Sequence, residues 1–135
     1  MNRNKMILFV EDDEDDRELI SEVINKVNSS VETIFAENGL HALNYLTGVK
    51  EKSALPCLIV LDLNMPVLDG KETYRKIKDE LKLETVPVII FTSSYNPNDK
   101  KLFSSMGVEY INKPTNFSYM GDIIRHMIGV CEKCV

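Results

Sequence analysis

The stretch CLIVLDLNMPVLDG, residues 57–70, decides the fold. Five residues that suit a buried core, Cys57, Leu58, Ile59, Val60 and Leu61, run directly into a carboxylate, Asp62. A short continuous apolar run is how a strand buried on both faces of a parallel sheet reads. KMILFV (5–10) and PVIIF (87–91) repeat that signature, while VETIFA (31–36) and VEYIN (108–112) are more mixed and suit positions nearer an edge. Segments with helical spacing lie between them. Leu19, Ile20, Val23, Ile24 and Val27 form one stripe; Ala42, Leu43 and Leu46 mark a second helix closing at Gly48; Tyr74, Ile77 and Leu81 mark a third. The fourth has Asn96 as N-cap, Pro97 at its first position, a face of Leu102, Phe103 and Met106, and Gly107 as its stop. The fifth is expected to start at a Thr115 cap and carries Phe117, Met120, Ile124, Met127 and Ile128. Strand then helix, five times over, calls for a doubly wound α/β fold with helices on both faces of a parallel sheet.

The whole chain sets the bounds. At 135 residues it is one domain's worth of sequence, with a core expected over about residues 5–130. A net charge of -5 argues against a nucleic-acid surface, which needs clustered Lys and Arg. No apolar stretch is long enough to cross a bilayer, and MNRNKMILFV lacks the layout of a signal peptide, so no membrane partner is expected. Three cysteines without a regular framework point to a reducing compartment, hence a cytoplasmic protein. Cys131 and Cys134 read as a tail of surface thiols, and His41 and His126 as surface or structural residues without partners.

In a doubly wound sheet, ligands bind at the carboxyl ends of the strands. Each strong strand here ends in residues a core would not choose. The first ends in Glu11-Asp12-Asp13, the third in Asp62, the fourth in Thr92-Ser93-Ser94 and the fifth in Lys113-Pro114. Crowded carboxylates repel one another unless a cation sits among them. With no Cys or His in the cluster, the implied cation is hard and oxygen-bound: Mg²⁺, with Mn²⁺ as the alternative. A hydroxyl and an ammonium opposite the metal suit the equatorial oxygens of a transferred phosphoryl group. Asp62, on the most rigid element, is the expected nucleophile. Asp13 and the acids after it read as helix-start electrostatics, and Asp69 beside Gly70 as a turn and cap.

Four stretches, VEDD (10–13), LDLNMPVLDG (61–70), VIIFTSS (88–94) and YINKP (110–114), resemble in order and spacing the receiver domain of two-component response regulators. The resemblance spans essentially the whole chain and is of the stand-alone type, since nothing after residue 130 is long enough for an output domain. It implies a five-stranded parallel sheet of order 2-1-3-4-5 with five helices, the flavodoxin-like, CheY-like arrangement. It implies transfer to Asp62 from a phosphohistidine on a histidine kinase or phosphotransfer protein. Asp12 resembles the direct metal ligand and Glu11 a ligand through water, with Asn64 offering its backbone carbonyl. Thr92 resembles the switch hydroxyl, Lys113 the phosphoryl-binding ammonium, often followed by a cis proline bond, and Tyr110 the aromatic that reports the active state. Ser93 stands where alanine is common, and Asn64 and Ser94 are placed to tune loss of the phosphoryl group. The downstream target is expected on the face of helix four, strand five and helix five, with the chain a monomer or weak homodimer.

Rival chemistries fit less well. A haloacid-dehalogenase-like phosphatase needs an acid two residues after its nucleophile, where this chain has Asn64. An FMN carrier needs a phosphate cradle where this chain has six acids, Glu11 to Asp16. A calcium loop starting at Asp62 would place Val67 at its glycine position and Thr73 at its last ligand. A receiver serving only as a scaffold usually lacks the acceptor or the acidic pair, and this chain has both. By this reading the protein is a signalling switch, its only catalysis being its own aspartyl phosphorylation and dephosphorylation.

Overall fold

The computed structural model describes residues 5–28 and 30–133. Five strands alternate with five helices. In chain order these are β1 (Met6–Val10), α1 (Glu14–Val27), β2 (Glu32–Ala36), α2 (Gly39–Thr47), β3 (Leu58–Leu61), α3 (Gly70–Arg75), β4 (Val88–Thr92), α4 (Pro97–Ser105), β5 (Glu109–Asn112) and α5 (Met120–Lys133). All strand pairs are parallel, and the sheet order is β2-β1-β3-β4-β5. The expected topology is therefore observed.

Alternation along the strands sorts the core into two layers, because successive side chains point to opposite faces. Ile7 and Phe9 of β1, Leu58 and Val60 of β3, and Ile89 and Phe91 of β4 pack against Ile20 and Ile24 of α1 and Ile124, Met127 and Ile128 of α5. Leu8, Val10, Ile59, Leu61, Val88 and Ile90 face the other way, onto Ala42, Leu43 and Leu46 of α2, Ile77, and Phe103 of α4. The three central strands are buried throughout, as their unbroken apolar runs require.

Helix starts follow local capping chemistry. The Asp13 carboxylate accepts from Asp15 and Asp16 N–H, Asn38 caps α2 through His41 N–H, and Asp69 caps α3 through Glu72 N–H. Asn96 caps α4, with Pro97 at its first turn, and Gly107 beyond its end takes a φ of 72°, a region glycine occupies freely. Four details depart from the sequence reading. Beyond Arg75 the third helix continues as a π-turn over Lys76–Glu80. A 3₁₀ turn, Phe117–Tyr119, precedes α5, and Asn116 rather than Thr115 supplies its capping oxygen, to Ser118 N–H. The Lys113–Pro114 bond is trans. On α4 the expected face is only partly used: Phe103 is fully buried, in edge-on contact with Tyr74 at 5.5 Å, while Leu102 and Met106 are 44% and 45% exposed.

Cys131 is not a surface thiol. It is buried on α5 with its sulfur against that of Cys57, and their Cα atoms are 4.9 Å apart, the spacing of a disulfide pair. The reading of unpaired cysteines is corrected accordingly; Cys134 lies outside the described residues. His126 also has a partner, Glu109, with Nε2 2.8 Å from its carboxylate, and His41 Nδ1 accepts from Glu37 N–H.

Phe103 thus carries the attachment of α4 that the sequence divides among three residues. Phe103→Ala should cost about 3–5 kcal/mol in urea unfolding, as for truncation of a buried aromatic. Leu102→Ala, on the open side, should stay within about 0.5 kcal/mol.

Candidate functional site

The expected site residues occupy the carboxyl edge of the sheet, and the hydrogen-bond ladder continues one step beyond the strands to hold them. Glu11 N–H donates to Ala36 O of β2 at 2.9 Å, Asp62 N–H to Val10 O of β1 at 3.1 Å, and Lys113 N–H to Thr92 O of β4 at 2.9 Å. Each backbone is therefore fixed by the terminal carbonyl of a neighbouring strand. Glu11, Asp62 and Thr92 are buried, whereas Asp12 is exposed.

Carboxylate oxygens of Glu11, Asp12 and Asp62 lie within 4.8 Å of one another. The cluster opens into a depression of about 410 Å³, lined also by Asn64, Tyr95 and Lys113. A donor set of three carboxylates with an open side fits one divalent oxygen-seeking cation that retains water or phosphoryl ligands. Asn64 is exposed at the rim, and its N–H donates to Asp62 Oδ1 at 3.3 Å. A larger cavity, about 560 Å³, opens at the other end of β3 and β4 beside Cys57 and Pro87, and none of the expected site residues lines it.

The Lys113 ammonium is the centre of charge. Its Nζ lies 2.7 Å from Glu11 Oε1, 2.8 Å from Asp16 Oδ2 and 3.2 Å from Asp62 Oδ2. An ammonium has three N–H donors, and three carboxylates take them. Asp16 was missed by the sequence reading, which left it among the helix-start acids. It lies in the first turn of α1, three residues past the Asp13 cap, and faces back over the sheet edge; the signal available was that first-turn position beside a strand end that carries the site. Arg17 completes the anchoring by donating to Glu11 O at 2.9 Å.

Burial is the larger influence on Glu11 and raises its pKa to about 7, against the hydrogen bond and charge of Lys113 that pull it down. Burial works to lower the pKa of Lys113, but hydrogen bonds to Asp16 and Glu11 outweigh it and hold the ammonium above its ordinary value. Lys113 is thus charged at every physiological pH.

Across the edge, Thr92 Oγ1 accepts from Ser94 N–H at 3.2 Å. Tyr110 is half-buried on β5, and its hydroxyl donates to Ser94 O at 2.9 Å. The Asn112 amide donates to the same carbonyl at 2.7 Å. Asn112 was also missed, because an asparagine near a strand end reads as an ordinary terminator. Glycine at position 70 is required by space: an added Cβ would meet Asp62 O and stand 2.6 Å from Leu63 Cα.

A doubly wound sheet with an acidic cluster and a captive lysine at its carboxyl edge defines a receiver-type domain. The family model described as response regulator receiver domain matches residues 7–125, and the chain belongs to that family. It is 35% identical over 132 residues to the response regulator Rcp1 of Synechocystis sp., covering 96% of this chain and 88% of that protein. The phosphorylated cyanobacterial phytochrome response regulator RcpA superposes with a TM-score of 0.84 at 30% identity, covering 98% of this chain and 96% of that one. The Mn²⁺-bound form of Rcp1 gives 0.78 at 34% identity, covering 90% of each. Among the described residues no helix is long and apolar enough to cross a membrane.

A cation held at this cluster would compete with the Glu11 proton. The folded chain keeps a proton that the unfolded chain releases above the ordinary glutamate pKa of 4.5, so this residue's contribution to stability falls as pH rises from 4.5 to about 7. A cation needs the carboxylate form. Calorimetric titration should therefore show Mg²⁺ affinity climbing with pH up to about 7 and levelling above it, and Glu11→Gln should flatten that profile.

Proposed function

We propose that this chain is a phosphorylation switch in which Asp62 accepts a phosphoryl group from a phosphohistidine on a sensor kinase or phosphotransfer protein. The observation that carries the proposal is the convergence of Glu11, Asp12 and Asp62 on one side with Lys113 bonded to Asp62 on the other. The whole of residues 1–135 acts as one receiver unit, placed in the cytoplasm where kinase and target meet it.

In the transfer, an Asp62 Oδ atom attacks phosphorus, the new O–P bond forms, and the P–N bond to imidazole breaks. The electron pair leaves on the imidazole nitrogen. A cation held by Glu11, Asp12, Asp62 and the Asn64 carbonyl would neutralise the negative charge on the transferred oxygens. Lys113 gives up its contact with Asp62 and donates to a phosphoryl oxygen. Because Glu11 N–H and Asp62 N–H are tied to β2 and β1, the acceptor meets phosphorus without first being ordered. The Thr92 hydroxyl leaves Ser94 N–H and turns to the phosphoryl group, and Tyr110 follows through the Ser94 carbonyl.

That coupling carries the local event to the face of α4, β5 and α5, where a target with unequal affinity for the two states reads it. Leu102 and Met106, exposed on and just beyond α4, give that face apolar area to bury. Asn64 and Ser94 flank the path of an attacking water and set how long the phosphoryl group lasts.

Incubation with Mg²⁺ and a small phosphodonor such as phosphoramidate should add one base-labile phosphoryl group per chain, read by intact mass. Asp62→Asn should abolish it, and labelling of that variant at the parent rate would falsify the assignment of the nucleophile. Thr92→Ala should still be labelled but should lose the phosphorylation-dependent shifts of α4 amides in NMR spectra.

A further inference from the structure

Asn112 has no part in the chemistry above, yet its side chain ends at the centre of the switch. It lies two residues beyond Tyr110 on β5, so both side chains leave the strand on the same face. Its pairing partner across the ladder is Thr92. Its Nδ2 donates to Ser94 O at 2.7 Å and lies 3.4 Å from Thr92 O. The Tyr110 hydroxyl reaches the same Ser94 oxygen at 2.9 Å.

One carbonyl oxygen thus serves two side-chain donors and uses both of its lone pairs. The same residue's N–H is held by Thr92 Oγ1, and its Oγ accepts from Asn96 N–H at 3.4 Å, where α4 begins. Ser94 is therefore joined at once to the Thr92 hydroxyl at the end of β4, to the aromatic of β5 and to the cap of α4. The segment containing it is a turn, which has no ladder of its own to fix the direction of that carbonyl. Asn112, rooted in β5, supplies the fixing bond.

We propose that Asn112 is a positioning residue of the switch. It holds the Ser94 carbonyl toward β5, so that the Tyr110 hydroxyl finds its acceptor before any phosphoryl group arrives. The unmodified chain then already populates the arrangement in which Tyr110 lies beneath the turn, and phosphorylation has less to reorganise. The uptake arm of the test rests on the reading of Asp62 and Thr92 given above; the carbonyl arm does not, since it is measured on unmodified protein.

Asn112→Val removes the donor from a strand position that favours β-branched residues, and Asn112→Asp keeps the shape while replacing the donor by an acceptor. Tyrosine-selective isotope labelling and NMR, assigned with Tyr110→Phe, report the Tyr110 environment in unmodified chains. Either Asn112 variant should shift Tyr110 toward solvent by about fivefold in population, the size of one neutral hydrogen bond. Phosphoramidate uptake should slow by up to the same factor at unchanged Mg²⁺ affinity. Combined with Tyr110→Phe, the Asn112 variants should slow uptake no further, because the two donors act through one oxygen. Asn112→Ser, which restores a short donor, should recover part of both effects. An unaltered Tyr110 spectrum in folded Asn112→Asp, or additive effects with Tyr110→Phe, would overturn the proposal. If the parent takes up no phosphoryl group, the functional reading fails while the Tyr110 spectrum still decides the role of Asn112.

Discussion

The Lys113 ammonium among the carboxylates of Glu11, Asp16 and Asp62 is the interaction on which this edge of the molecule depends. Like charges at such separations repel strongly once water is excluded, and one cation bonded to three acids makes the arrangement tolerable. The remaining acid, Asp12, stays in water, where its charge costs little. The edge is therefore a set of acids held together by an internal cation. Replacing Lys113 by a neutral residue would leave the buried carboxylates of Glu11 and Asp62 without the cation that they share.

That electrostatic knot is possible because the sheet supplies rigid backbone at the right points. β1, β3 and β4 are buried on both faces, and the ladder runs one bond past their ends. Glu11 and Asp62 thereby belong to the sheet although they lie at the start of loops. Ser94 sits just past the end of β4, and single side chains, Thr92, Tyr110 and Asn112, supply its hydrogen bonds in place of a ladder. The carboxylate edge and the segment after β4 thus differ in the kind of hydrogen bonding that holds each one.

Much of this was legible in the sequence. Unbroken apolar runs announced buried parallel strands, and polar residues at their ends announced the site, since Asp62, Glu11, Asp12, Thr92 and Lys113 all fall one or two residues past a strand's last hydrophobic side chain. Local capping was legible for Asp13, Asp69 and Asn96 because it is a matter of a few bonds within one turn. Three-dimensional neighbours were not. Asp16 meets Lys113 across 97 positions of sequence, Asn112 meets Ser94 through a turn whose path sets the distance, and Cys57 meets Cys131 through the docking of α5. The π-turn after α3 was hidden for a related reason: the spacing of Tyr74, Ile77 and Leu81 fits an α-helix, and a five-residue run of shifted hydrogen bonds does not disturb that pattern.

The alternation along β3 also makes its register an address. Leu58 and Val60 face one layer of the core, Ile59 and Leu61 the other, and the next residue is the buried carboxylate Asp62. A slip by one position would turn every side chain of the strand to the opposite layer and put a leucine where the carboxylate stands. The connection of residues 48–56 ahead of the strand, which includes a 3₁₀ turn at Lys52–Ala54, sits at the far end of the sheet and carries no such alternation. Length variation is therefore cheap before Cys57 and forbidden between Leu58 and Asp62: over that short interval the chain counts residues, and elsewhere it only needs to reach.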